Sequence, residues 1–196
     1  MRPNPIADVW AFLTKPDWPT PVYWLLLVAS VLVAVAVWRR DPDQQSPRRI
    51  GLGLLRVLIG AMWWQQSLWK IPPNYDGLTY YLKEMIDHAA VMLQSTLVRD
   101  IVLPNIGLFG PLVYLLEVAI GVSLTLGLLT RASGVLGVLM ALNLWLGLYS
   151  APGEWPWTYF FLVVIQCWFV IDPPGFSLGL DALVARRSMR TRVVAA

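Results

Sequence analysis

The stretch Gly51–Lys70, GLGLLRVLIGAMWWQQSLWK, tolerates few environments. It is long and apolar enough to cross a bilayer, which takes about 20 residues, yet it carries Arg56 and closes on Gln65, Gln66, Ser67 and Lys70. At about 100° per residue, Arg56, Gly60, Trp63, Ser67 and Lys70 fall on one stripe, with Gln66 at its edge. An arginine within a spanning helix is costly unless it meets a partner or water. The stripe is therefore expected to face the inside of a helical bundle.

Composition agrees. Of 196 residues, 57% are hydrophobic and 14% charged, with a mean hydropathy of +0.59; a soluble domain carries about 25% charge. The lipid bilayer is the expected environment, and the size fits one compact domain. A net charge of +3 does not indicate a nucleic-acid partner, because the basic residues sit at the ends of apolar runs. The single Cys167 excludes an internal disulfide, a CxxC pair and an iron–sulfur cluster held by this chain alone. The single His88 excludes bis-histidine haem ligation, reads as a solvated loop residue, and leaves metal binding without a second histidine. Any electron transfer then requires a quinone, a partner's cofactor, or both.

In chain order, residues 1–21 are polar and proline-rich, with a short amphipathic piece at Ile6–Leu13. The first apolar run is Val22–Trp38. Its Ala34, Val35 and Ala36 look like a signal-peptidase site, but about twenty mixed-charge residues precede the run and Arg39 and Arg40 follow at once, so an uncleaved span is expected. Gly51–Lys70 is the second span. Ile71–Asn105 is too polar to cross; Leu78, Tyr81, Leu82, Met85, Ala89 and Met92 recur at helical spacing against Lys83, Glu84, Asp87 and His88, which predicts an interfacial or capping helix. The third run, Ile106–Thr130, is interrupted near its start by Gly110 and Pro111. Ala132–Tyr149 and Trp157–Ile171 complete five spans, joined by an external loop at Ser150–Pro156. The tail holds an amphipathic piece, Ser177–Val184, then Arg186, Arg187, Arg190 and Arg192. Five crossings place the N-terminus outside and the C-terminus in the cytoplasm, with Arg39/Arg40/Arg48/Arg49, Arg131 and the tail arginines all inside.

The polar residues within the spans form two tiers. Arg56 lies ~8 Å past the cytoplasmic start of its helix and Gln166 ~9 Å before Asp172, so Arg56 is expected to meet Gln166, a helix C-terminal carbonyl, Asp172 or Asp181. Glu117 lies ~20 Å, Asn143 ~17 Å and Gln66 ~22 Å from the cytoplasmic end, with Lys70 snorkelling above them. A direct Arg56–Glu117 bridge is too long by ~10 Å. An unpaired Glu117 near mid-bilayer is by default a candidate site, for a quinone or a proton; a structural network tying the helices together is the competing reading. Trp63 and Trp64 are placed to wall a quinone pocket, although interfacial anchoring explains most of the eleven tryptophans. Gly60, Gly110, Gly121, Gly134 and Gly137 suit close helix packing.

Three pieces of this chain resemble the DoxX family, particularly its DoxD branch, the small subunit of thiosulfate:quinone oxidoreductase. One is Arg56, Gly60 and Lys70. The second is LVRDIVLPNIGLFGPLVYLLEVAIGVSLTLGLLTR, with Arg99, Pro104, Asn105, Gly110, Glu117, Gly121, Gly127 and Arg131. The third is RASGVLGVLMALNLWL, with Asn143, followed by SLGLDAL and Asp181. The resemblance covers residues 51–185. It implies an all-α polytopic membrane protein: a four-helix up-and-down bundle plus one added N-terminal span, with residues 1–50 leading in and 186–196 forming a basic cytoplasmic tail. It also implies the bacterial inner membrane and quinone-linked electron transfer with a partner subunit. Glu117 would be the catalytic candidate, with Arg56, Trp63, Gln66, Lys70, Asn143 and Gln166 in the polar network, and quinone the one cofactor implied. The alternative is a non-catalytic assembly subunit of a larger respiratory or photosynthetic complex. No inverted repeat or pair of broken helices points to solute transport.

Overall fold

A computed structural model of the protein describes residues 4–185. Every regular element among them is helical: α1 (Pro5–Thr14), α2 (Pro19–Arg40), α3 (Pro47–Ser67), α4 (Asp76–His88), α5 (Met92–Leu97), α6 (Ile106–Leu126), α7 (Thr130–Gly147) and α8 (Pro156–Ile171). Two of these, α2 and α6, are long and apolar enough to cross a membrane. At a rise of about 1.5 Å per residue, the 21 residues of α3, 18 of α7 and 16 of α8 extend ~31, ~27 and ~24 Å.

The helices begin and end where local chemistry requires. Proline stands in the first turn of α1, α2, α3 and α8, where its missing N–H costs nothing. The C-terminus of α6 stops at Gly127, whose φ of +72° is left-handed and open to glycine. The expected break at Gly110 and Pro111 does not occur. Pro111 lies inside a continuous α6, close enough to its start that one lost backbone hydrogen bond leaves the rest of the ladder intact.

The main packing is α3 on α6 and α7 on α8, with α6 against α7 joining the two pairs and α2 laid along α6. Glycines permit the closest approaches. A Cβ on Gly121 would lie 2.9 Å from the Trp64 backbone nitrogen, and one on Gly60 would lie 2.8 Å from that of Thr125. Trp63, Ile120, Leu124, Ala141, Leu162 and Phe169 form the central core. Outward surfaces are apolar instead, with Leu25, Leu32, Leu58, Leu115, Leu139 and Trp168 all exposed.

Both ends of this packing are identifiable from hydrogen bonds. At one end Gln44 donates to Phe176 O (3.1 Å), Arg48 pairs with Asp172 (2.6 Å), and the Asp181 N–H donates to Gly127 O (2.8 Å). The 41–49 connection, the turn before Arg131 and the 172–181 segment therefore share one end. Arg186, Arg187, Arg190 and Arg192, expected at this same end, lie outside the described residues. At the opposite end Ala90 N–H donates to Leu146 O (2.7 Å) and Ser150 N–H to His88 O (3.2 Å). There α4 buries Leu78, Leu82 and Met85 on α7 and on the turn at Val98–Val102, as its amphipathic spacing predicts. Met92, expected on the same face, is exposed because α4 ends at His88 and the chain restarts as α5.

Candidate functional site

Arg56 and Glu117 are each 1% exposed, on neighbouring helices, and they have separate partners. The Arg56 guanidinium donates to Leu124 O and, at 2.7 Å, to Thr125 O, with a longer contact to Leu178 O. The first two are carbonyls that the end of α6 leaves without intrahelical partners, at the negative pole of its dipole. A Cβ on Gly127 would lie 2.9 Å from that guanidinium and 2.7 Å from Gly179 Cα, so glycine is needed there for space as well as for φ. Asp181 closes the same end, accepting from Leu129 N–H (2.7 Å), Thr130 N–H (3.1 Å) and the Thr130 hydroxyl (2.8 Å). Of the partners expected for Arg56, the helix C-terminal carbonyls are the ones found. Asp172 is taken by Arg48, and the buried Gln166 amide lies against Gly137 with neither its oxygen nor its nitrogen hydrogen-bonded. Arg56 is thus a clamp on a helix end.

The second tier is a buried ion pair. Lys70 Nζ lies 2.6 Å from both Glu117 oxygens and donates its third hydrogen bond to Gln66 O at 3.2 Å. Two expectations are corrected here: Lys70 does not snorkel outward, and Glu117 is not unpaired. After Ser67 the chain tightens into a 3-10 turn, Leu68–Lys70, which folds the lysine back under its own helix. Its position on the inward stripe was legible; the return of its ammonium was not. The Trp69 ring covers the ammonium at 4.1 Å.

Around this pair is a cavity of about 710 Å³, bounded by α3, α6, α7 and α8 and roofed by α4 and Val98. Trp63, Ile59, Leu112, Met140 and Ile165 supply apolar wall; Gln66, Lys70, Glu117, Asn143 and Glu154, with the hydroxyls of Tyr81, Thr158 and Tyr159, are its polar members. A pocket of this size takes a ring compound with part of a chain. Its exposed lining side chains are Gln66 of α3, Trp69 of the turn that follows it, Leu112 of α6, and Thr158 and Phe161 of α8. No family model, curated protein or solved structure matches this chain. The chemistry of the cavity is therefore carried by its own side chains.

Among the predicted residues, Trp63, Gln66, Lys70, Glu117 and Asn143 come together on this cavity, whereas Arg56 and Gln166 do not. Trp64 also departs: it faces α2 and stacks on Tyr23 with ring centroids 5.6 Å apart. About 100° round the helix from Trp63, its ring falls on the α2 side. Three contributors, Gln94, Glu154 and Tyr159, had no sequence signal strong enough to find them. Gln94 donates to Asn143 Oδ1 at 2.7 Å, and Tyr159 donates its hydroxyl to Glu154 at 2.6 Å. Burial and the nearby Glu154 carboxylate raise the Tyr81 phenol above its ordinary pKa, so it stays a neutral donor at the mouth. Among the described residues no group of His, Cys, Asp and Glu is arranged to hold a metal ion.

Proposed function

We propose that this is a five-span protein of the bacterial inner membrane, with α3, α6, α7 and α8 as a four-helix up-and-down bundle and α2 as the added span. The arginine-bearing end is cytoplasmic and the cavity sits in the outer half. Two sufficiently apolar helices, the exposed apolar side chains around the outside and the inward placement of Arg56 and Glu117 support this reading. α7 and α8 fall somewhat short of a ~30 Å hydrocarbon layer, a mismatch that membrane proteins accommodate at modest cost.

In this reading the cavity binds a quinone, and a partner subunit of the thiosulfate-oxidising kind delivers electrons to it, as the DoxD resemblance implies. The observation that carries it is the cavity itself: largely apolar, with one buried ion pair in its wall. A bound quinone supplies a two-electron, two-proton acceptor. Trp63, Ile59 and Ile165 would enclose its ring, Asn143 would offer an amide hydrogen bond, and Lys70 and Glu117 would hold a proton-bearing pair beside it. The test is quinone reduction by the protein co-purified with its native partners. Measured below the melting transition of each variant and normalised to folded complex, Lys70→Met and Glu117→Gln should lower the rate; unchanged rates in both, or no quinone bound by the wild type, refute it.

A second reading, a non-catalytic assembly subunit, is favoured by one observation: every Lys70 donor and both Glu117 oxygens are already engaged, as in a structural clasp. Co-purification at fixed stoichiometry, with partner turnover unchanged by those substitutions, would select it.

A further inference from the structure

The charges that line the cavity do not balance. Lys70, Glu117 and Glu154 are its acidic and basic members. Lys70 lies 2.6 Å from both Glu117 oxygens, so one positive and one negative charge cancel within the wall. Glu154 is left over. It sits half-buried in the loop between α7 and α8, and its Oε2 accepts from the Tyr159 hydroxyl at 2.6 Å. Among the described residues no lysine, arginine or histidine pairs with it. A phenol holds a carboxylate in place without neutralising it, so the cavity keeps one net negative charge at its margin.

The wall beside that charge is aromatic. Trp63, Trp69, Tyr81, Phe109, Tyr159 and Phe161 all line the cavity. Aromatic faces carry negative potential and attract cations, most strongly where water is displaced. The protein already uses one ring in this way: the Lys70 ammonium rests over Trp69 at 4.1 Å, and Trp69 in turn touches Tyr81 with ring centroids 5.3 Å apart. Glu154 belongs to the same patch, since its charge is felt by the Tyr81 phenol. A compact cation would lose its hydration here, and one carboxylate does not replace it. A bulky organic cation is weakly hydrated, fills apolar space, and still finds a counter-charge. An anion of the same shape meets only repulsion.

We propose that the cavity binds lipophilic organic monocations, quaternary ammonium or phosphonium compounds, with the Glu154 carboxylate as counter-ion and the aromatic lining as wall, and that it rejects anions of the same shape. This rests on the binding cavity proposed above and not on its redox role, and it adds a second class of ligand to that site.

The experiment is equilibrium binding to the full chain in nanodiscs, with empty nanodiscs subtracted, of tetraphenylphosphonium, its anionic counterpart of like shape tetraphenylborate, and decylubiquinone. The wild type should bind tetraphenylphosphonium saturably and tetraphenylborate not at all above the empty discs. Glu154→Gln keeps an acceptor for Tyr159 and removes the charge; it should weaken tetraphenylphosphonium about 10-fold, the effect of one counter-charge several ångströms away in a partly buried site. Asp100→Asn removes the same charge from an exposed position outside the cavity and should bind as the wild type does. Both ions bound equally by the wild type, no saturable tetraphenylphosphonium, or wild-type affinity in Glu154→Gln overturns the inference. Decylubiquinone separates this inference from the quinone reading. Decylubiquinone bound without tetraphenylphosphonium leaves only the quinone reading standing, and the reverse leaves only this one. Binding of both upholds both, and binding of neither sinks both.

Discussion

Removing one partner of the Lys70–Glu117 pair should be among the most damaging single changes in the protein. Their side chains are 6% and 2% exposed, and the ammonium lies 2.6 Å from each carboxylate oxygen. In Glu117→Leu the ammonium keeps only Gln66 O and the face of Trp69. Breaking a buried pair in this way costs about 3–5 kcal/mol, whereas replacing both members with apolar groups of similar volume is near neutral. Glu117→Leu and Lys70→Met should therefore each lower the midpoint of thermal unfolding on the order of 10 °C for a chain of this size. The double variant should recover most of the loss. Tryptophan fluorescence during heating in detergent reads all four proteins of the cycle. Single variants within ~0.5 kcal/mol of wild type, the range of ordinary surface changes, or a double variant as unstable as the sum of the singles, would refute the pairing.

The glycine contact between α3 and α6 predicts that Gly121→Ala destabilises by ~1–3 kcal/mol, because its new methyl meets backbone rather than a movable side chain; Gly51→Ala, with nothing within 4 Å, should stabilise by up to ~1 kcal/mol in the same melts. Asp181→Ala removes three hydrogen bonds at the start of α7. It should cost ~1–2 kcal/mol and speed proteolysis after Asp172, measured by limited digestion and mass spectrometry. For orientation, single cysteines at Gln45 and Pro152 in a Cys167→Ser background should react with a membrane-impermeant maleimide from opposite sides: Pro152→Cys in intact cells, Gln45→Cys only after lysis. Labelling of both in intact cells would remove the five-span arrangement.

The inward stripe of α3 was readable because one helical period governs the whole segment. Arg56, Gly60, Trp63, Ser67 and Lys70 are all buried, and Gln66 at its edge is exposed. The vertical separation of Arg56 from Glu117 was readable for the same reason, since rise per residue fixes depth. Periodicity fails where the helix ends. The 3-10 turn at Leu68–Lys70 alters both rise and direction, so depth arithmetic left Lys70 above the carboxylate it grips. It also assigns faces to residues but not neighbours to faces, which is why Trp64 was placed on the pocket instead of on Tyr23. Gln94 and Glu154 come from segments whose own patterns are too short to aim them; the packing of α5 on α7 brings in the first, and the loop between α7 and α8 carries the second.

The position of the cavity follows from where small residues stop. Near the arginine end, Gly60 and Gly121 let α3 touch α6, and Gly134 and Gly137 let α7 close on α8. One to two turns further along come Trp63, Glu117, Met140 and Asn143, all of them cavity wall. Bulky or charged side chains at that level prevent the backbones from approaching as they do below, and the polar ones would be costly there without partners. The Lys70–Glu117 pair and the Gln94–Asn143 bond satisfy most of that polarity. The Trp63 and Trp64 indoles are both buried without acceptors, and Trp64 faces α2 instead of the chamber, so the polarity of this chamber is set by its ion pair and by the Gln94–Asn143 bond.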